Sequence, residues 1–138
     1  VLVVPNDSRW QSIEQISMED LLQETFLVRE SGSGTRLSLE RQIGFSLDRF
    51  NVRMVLGSTN AIKEGVKAGL GVSVLSHLAV QTELASGLLK TVQIEAGKSL
   101  RRDFFVVTHT RRTLSPIAES FLEFLQDQTE ALALNAGL

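Results

Sequence analysis

The chain has 138 residues, with 14 Lys and Arg against 16 Asp and Glu, a formal net charge of −2 and no Cys. That balance offers no bulk positive charge to attract nucleic acid, and the missing thiols exclude disulfides, thiolate nucleophiles and cysteine–metal sites. Hydrophobic residues at 43% and charged residues at 22% suit a globular domain with its own core, and no apolar run reaches the ~20 residues of a membrane span.

The chain opens inside an apolar run, Val1-Leu2-Val3-Val4, with no initiator Met. That run reads as a strand, and we expect a piece of a longer protein. A turn cluster, Pro5-Asn6-Asp7-Ser8, stops it. Residues 17–22 suggest a short helix or turn, and residues 25–30 a strand ending at Ser31-Gly32-Ser33-Gly34. A helix is expected over 35–43, with Gly44 as its stop. The unit then repeats: a strand at 52–56, the turn Gly57-Ser58-Thr59-Asn60, and a helix at 61–68 facing the core through Ile62 and Val66. Gly69 falls where a left-handed residue ends a helix. Residues 71–75 predict a strand, 78–85 a helix stopped by Gly87, and 88–94 another strand. Residues 95–99 form a polar break, the best candidate for a hinge, with 5–9 the second. Residues 103–108 hold strong β-formers and predict a strand. Ser115-Pro116 marks a helix start, and Ile117, Phe121, Phe124, Leu125 and Leu132 trace one face of that helix. The tail, 135–138, is expected to fray. Alternating strands and helices predict an α/β fold with a mostly parallel sheet covered by helices.

Two segments stand out for chemistry. Arg29-Glu30-Ser31-Gly32-Ser33-Gly34-Thr35-Arg36 follows a strand and opens a helix. Glycine lets a ligand approach the backbone closely, and a helix N-terminus offers unpaired N–H groups and partial positive charge to a carboxylate or phosphate. The simpler reading is a glycine turn plus a helix cap. The Gly-Lys-Ser/Thr ending of a phosphate loop is absent, as is the third glycine of a dinucleotide fingerprint. Gly57-Ser58-Thr59-Asn60 is a second donor-rich turn between a strand and a helix. In a parallel sheet both turns share one edge and can face one crevice.

Catalytic readings are weak. His77 and His109 are the only histidines, and neither has neighbours that suggest a triad or a metal site. There is no nucleophile elbow and no carboxylate cluster at ligand spacing. Arg101-Arg102 and Arg111-Arg112 bracket one expected strand and read as solvated or ion-paired. Trp10 reads as a packing residue. We expect no enzyme activity, no metal and no cofactor.

The segments together resemble the effector-binding domain of LysR-type transcriptional regulators. The resemblance rests on Phe26-Leu27-Val28-Arg29-Glu30-Ser31-Gly32-Ser33-Gly34-Thr35-Arg36, on the run from Gly57 to Leu75, and on Arg101-Arg102-Asp103-Phe104, Ser115-Pro116 and Phe121-Leu122-Glu123-Phe124-Leu125, in that order and spacing. It implies a periplasmic-binding-protein-like (type 2) lobe with a mixed, mostly parallel sheet, plus a partial second lobe. Residues 1–5 would be a crossover strand, 6–102 the second lobe, and 103–138 the second crossover with the returning strand and helix of an incomplete first lobe. Effectors of the family lie in a cleft between lobes. By position, the effector contacts would be Ser31, Ser33, Thr35, Ser58, Thr59 and Asn60, with Val74 and Thr108 lining the cleft. The chain departs from the family where it reads Asp7-Ser8-Arg9-Trp10 in place of a His-Pro pair, and at Ser76 in place of Pro. The implied partners are a small-molecule effector, a small anion by the chemistry above, and further copies in a homodimer or higher oligomer. DNA would be bound only through an N-terminal domain outside this chain, in the cytoplasm and without a membrane. A periplasmic solute-binding protein of similar fold is the alternative; a signal peptide upstream would favour it, and a helix-turn-helix the regulator.

Overall fold

In chain order the elements are β1 (Leu2–Pro5), β2 (Gln15–Ile16), α1 (Met18–Gln23), β3 (Thr25–Arg29), α2 (Gly34–Ile43), a 3-10 turn (Leu47–Arg49), β4 (Asn51–Leu56), α3 (Thr59–Lys67), β5 (Ser73–Val74), α4 (His77–Ala85), β6 (Leu89–Ile94) and α5 (Pro116–Asn135). The computed structural model describes residues 1–95 and 105–135. They fall into two units, Val1–Arg102 and Asp103–Leu138.

In the first unit, a four-stranded sheet has the order β2-β6-β1-β5, and β3 pairs with β4 beside it. β1 is antiparallel to β5 and β6, whereas β2 runs parallel to β6 and β3 parallel to β4. Val72, just before β5, joins the two pieces. Its N–H donates to the Thr25 carbonyl at 2.8 Å, and its carbonyl accepts from the Leu27 N–H at 2.9 Å, in a parallel bridge. Every strand but β1 therefore runs the same way, and the sheet is mixed but mostly parallel, as expected.

Both faces of this sheet are covered, because side chains alternate along a strand. Leu2, Val4, Phe26 and Val28 point into one core with Trp10, Leu21 and Phe50. Val3 and Leu27 point into the other, against Ile62 and Val66 of α3 and Val80 of α4. Each such burial stabilises the fold by about 1.5–3 kcal/mol. Gly65 lets α3 sit close: a Cβ there would meet Leu27 Cδ1 at 2.6 Å.

The 6–13 loop is held by its own Asp7 and, from outside it, by Lys90 and Glu24. Asp7 Oδ1 accepts the Arg9 and Trp10 N–H groups at 3.0 and 3.2 Å. Lys90 Nζ donates to the carbonyls of Trp10, Gln11 and Ile13 at 2.6, 3.0 and 2.9 Å. The Arg9 guanidinium pairs with Glu24 and lies 4.8 Å from the Trp10 ring centroid. Trp10 itself is buried, as expected.

Two expectations need correction. The strand expected at 103–108 is absent over residues 105–108, which have no regular structure. Phe105 and Val107 are 82% and 88% exposed. β-propensity does not make a strand without a partner for its backbone groups, and among the described residues nothing pairs with these. The strand expected at 71–75 is regular only over Ser73–Val74, with Val72 in an isolated bridge to Phe26 before it and Leu75 exchanging hydrogen bonds with Val1 after it. β2 and the 3-10 turn were not anticipated. The polar break at 96–99, Arg101-Arg102, the start of the expected strand at 103–104 and the tail at 136–138 lie outside the described residues.

In the second unit, the Ser115 hydroxyl accepts the Ala118 N–H at 3.4 Å at the start of α5. Ile117, Phe121 and Phe124 are exposed along one face of that helix.

Candidate functional site

β3, β4 and β5 are parallel, so the helices that follow them begin along one edge of the sheet. The caps there are Ser33 for α2, Ser58 for α3 and Ser76 for α4, and none of the three makes a side-chain capping bond. None of these helices has an acidic residue in its first turn. α1 is built differently: Ser17 Oγ accepts the Asp20 N–H at 3.0 Å, and Glu19 and Asp20 occupy its first turn. Its N-terminal partial charge is compensated from within the chain. Those of α2, α3 and α4 have no such cap bond or first-turn acid, an arrangement that favours a nearby anion.

The side chains at this edge follow from how the helices start. α2 begins at Gly34, one residue before the expected start, so Ser33 is its cap and is buried. Thr35 lies in the first turn and lines a narrow crevice with Arg29, Arg36, Ser73 and Val74. α3 begins at Thr59, two residues early, which puts Thr59 and Asn60 in its first turn. Asn60, Ser58 and Ser31 are exposed to solvent. Arg29 Nη1 donates to Thr59 Oγ1 at 2.9 Å, so this guanidinium ties the end of β3 to the start of α3. The structure thus brings Thr35, Thr59 and Val74 around Arg29. Thr108 belongs to the second unit, where it is exposed.

Arg29 opens the first segment singled out in the sequence but was not among the expected contacts, and Ser76 was not read as a cap. Arg29 also forms a two-pronged ion pair with Glu30, Nε to Oε2 and Nη2 to Oε1, both at 2.8 Å. Arg36 is the other cation of the crevice and is held by Glu40 at 3.2 Å and Asp48 at 3.3 Å. The hydrogen bonds from Arg29, then that of the Glu30 backbone, lower the Glu30 carboxyl from 4.5 to about 2, against a smaller opposing effect of burial. A carboxyl whose folded value is depressed contributes stability above its unfolded value and loses it on acidification. We therefore expect the contribution of this pair to be complete above pH 4.5 and to fade as pH falls toward 2. Thermal unfolding of the wild type and Glu30→Gln across that range should show the two converging in acid.

His77 opens α4 and is exposed, and the His109 ring accepts the Arg111 N–H at 3.1 Å. Among the described residues no group of three His, Asp or Glu is placed to hold a metal, and no helix is long and apolar enough to cross a membrane.

The family model for the LysR substrate binding domain matches residues 1–130. The chain belongs to the LysR substrate-binding family. This LysR-family chain is 35% identical over 121 residues to the HTH-type transcriptional activator CmpR of Synechocystis, covering 88% of the chain and 40% of that relative. It is 36% identical over 112 residues to the HTH-type transcriptional regulator CbbR of Rhodospirillum rubrum, covering 81% of the chain and 37% of the relative. The chain thus spans about two-fifths of the length of these LysR-type regulators. Among solved structures it is similar to the Synechocystis CcmR regulatory domain in complex with 2-PG. The TM-score is 0.69 at 30% identity, over 94% of this chain and 62% of that one. The effector binding domain of QuiR, at 17% identity and a TM-score of 0.65 over 90% of this chain and 57% of that one, shares the fold. The relatives are transcriptional regulators rather than enzymes, and the periplasmic solute-binding alternative is not favoured.

Proposed function

We propose that this chain is the effector-sensing part of a cytoplasmic LysR-type transcriptional regulator and binds a small organic anion at the shared edge of α2, α3 and α4. The observation that carries this reading is the set of helix N-termini there without side-chain caps or first-turn acids. The CcmR regulatory domain is solved with 2-PG, 2-phosphoglycolate, a ligand of the class that such an edge suits. Ser31, Ser33, Thr35, Ser58, Thr59, Asn60 and Val74 are the proposed contacts; Thr108 enters through the family resemblance alone. DNA binding and self-association would belong to the whole protein, in which residues 1–5 form a crossover and 6–102 one lobe.

Thr59 Oγ1 already accepts from Arg29, which leaves its hydroxyl proton to donate to an anion. Thr35→Ala and Thr59→Ala should each weaken binding of 2-phosphoglycolate by about 1 kcal/mol, roughly fivefold, and leave the lobe folded. Titration calorimetry on the intact protein is the test. Unaltered affinity in both variants would remove these turns from the site.

A further inference from the structure

We infer that Arg29 is the principal anion receptor of this edge and that Glu30 is a tethered competitor occupying it until an effector arrives. The inference rests on the anion-site reading above. A guanidinium presents a rigid fork of N–H groups matched to carboxylate and phosphate oxygens. In Arg29 that fork faces the carboxylate of its own neighbour, both contacts at 2.8 Å, in the geometry an incoming anion would adopt. A second edge of the same group is anchored on Thr59. The Glu30 side chain is 43% exposed, against 21% for Arg29, so Glu30 can swing into solvent while Arg29 stays in place. Arg36 is less available for this role, because Glu40 and Asp48 hold it from two directions.

Effector binding would then exchange one fork-to-anion pair for another. Such an exchange lowers affinity and favours ligands that outbid a single carboxylate. Phosphorylated acids do so through their greater charge and additional oxygens.

The test is calorimetry on the intact protein with 2-phosphoglycolate, inorganic phosphate and acetate, for wild type, Arg29→Met, Glu30→Gln and Thr59→Ala. Arg29→Met should abolish measurable binding of the phosphorylated acid. Glu30→Gln should tighten it by about tenfold, the order expected when a competing charge-assisted pair is removed. A misfolded variant cannot gain affinity, so the second result is independent of any loss of stability in the first. Weaker binding in Glu30→Gln would show that Glu30 positions Arg29 rather than competing for it, and would overturn the inference. Binding that falls in Thr59→Ala but persists in Arg29→Met would overturn it while leaving the anion-site reading intact. Absence of binding of all three anions, in wild type and in Glu30→Gln alike, would overturn both.

Discussion

Gly71→Ala should destabilise the fold by about 3 kcal/mol, the upper range for forcing one extra carbon into a packed interior. A Cβ at Gly71 would lie 2.5 Å from the Thr25 carbonyl oxygen and 3.1 Å from its carbon. These are backbone atoms and cannot rotate away. The same carbonyl accepts the Val72 N–H and belongs to a residue paired with Asn51 of β4. Moving it disturbs the seam that joins the β3–β4 pair to the rest of the sheet. Urea unfolding measures the loss, with Gly57→Ala as the control. Gly57 has nothing within 4 Å of a built Cβ and no positive φ, so its substitution should change stability little. A loss below about 1 kcal/mol for Gly71→Ala would mean that the seam is more compliant than its geometry implies.

Lys90→Met should cost a similar amount, about 3 kcal/mol, by a different route. Met keeps most of the aliphatic stem but removes an ammonium that three carbonyls share. Two of those three bonds are partly shielded from water, and carbonyls without a partner in such surroundings are costly. The loop they belong to carries Trp10, the only Trp in the chain. Its fluorescence therefore reports the damage locally: emission should shift to the red as the loop loosens, alongside a lower urea midpoint. An unshifted spectrum with unchanged stability would show that the loop is held by Asp7 and core packing alone.

The helices of the first unit were legible because glycines punctuate them. Gly44, Gly69 and Gly87 all adopt positive φ just past a helix, where a side chain would be strained. β1 was legible from its unbroken apolar run, since both its faces are covered. β2 was not, because two residues carry no periodicity and only pairing with β6 makes them a strand. Residues 103–108 were over-read for the converse reason: their propensity is high, but the described ones find no partner. The turns of the site could be read from residue type. Arg29 could not, since its role depends on β3 and β4 being neighbours, which places Thr59 within reach across 30 positions. Lys90 was hidden in the same way, about 80 positions from the carbonyls it holds.

The central claim is that the effector meets the ends of β3, β4 and β5. Amide NMR titration of the intact protein with 2-phosphoglycolate tests it most directly, because the backbone N–H groups of the helix starts line the proposed site. Saturable shifts are expected at Gly34 and Thr35 and at Thr59 and Asn60, with the largest beside Arg29. Amides should stay quiet at the opposite edge of the sheet, where Asp7, Arg9, Glu24 and Arg53 line a separate polar groove. Shifts that cluster in that groove and spare the helix starts would contradict it.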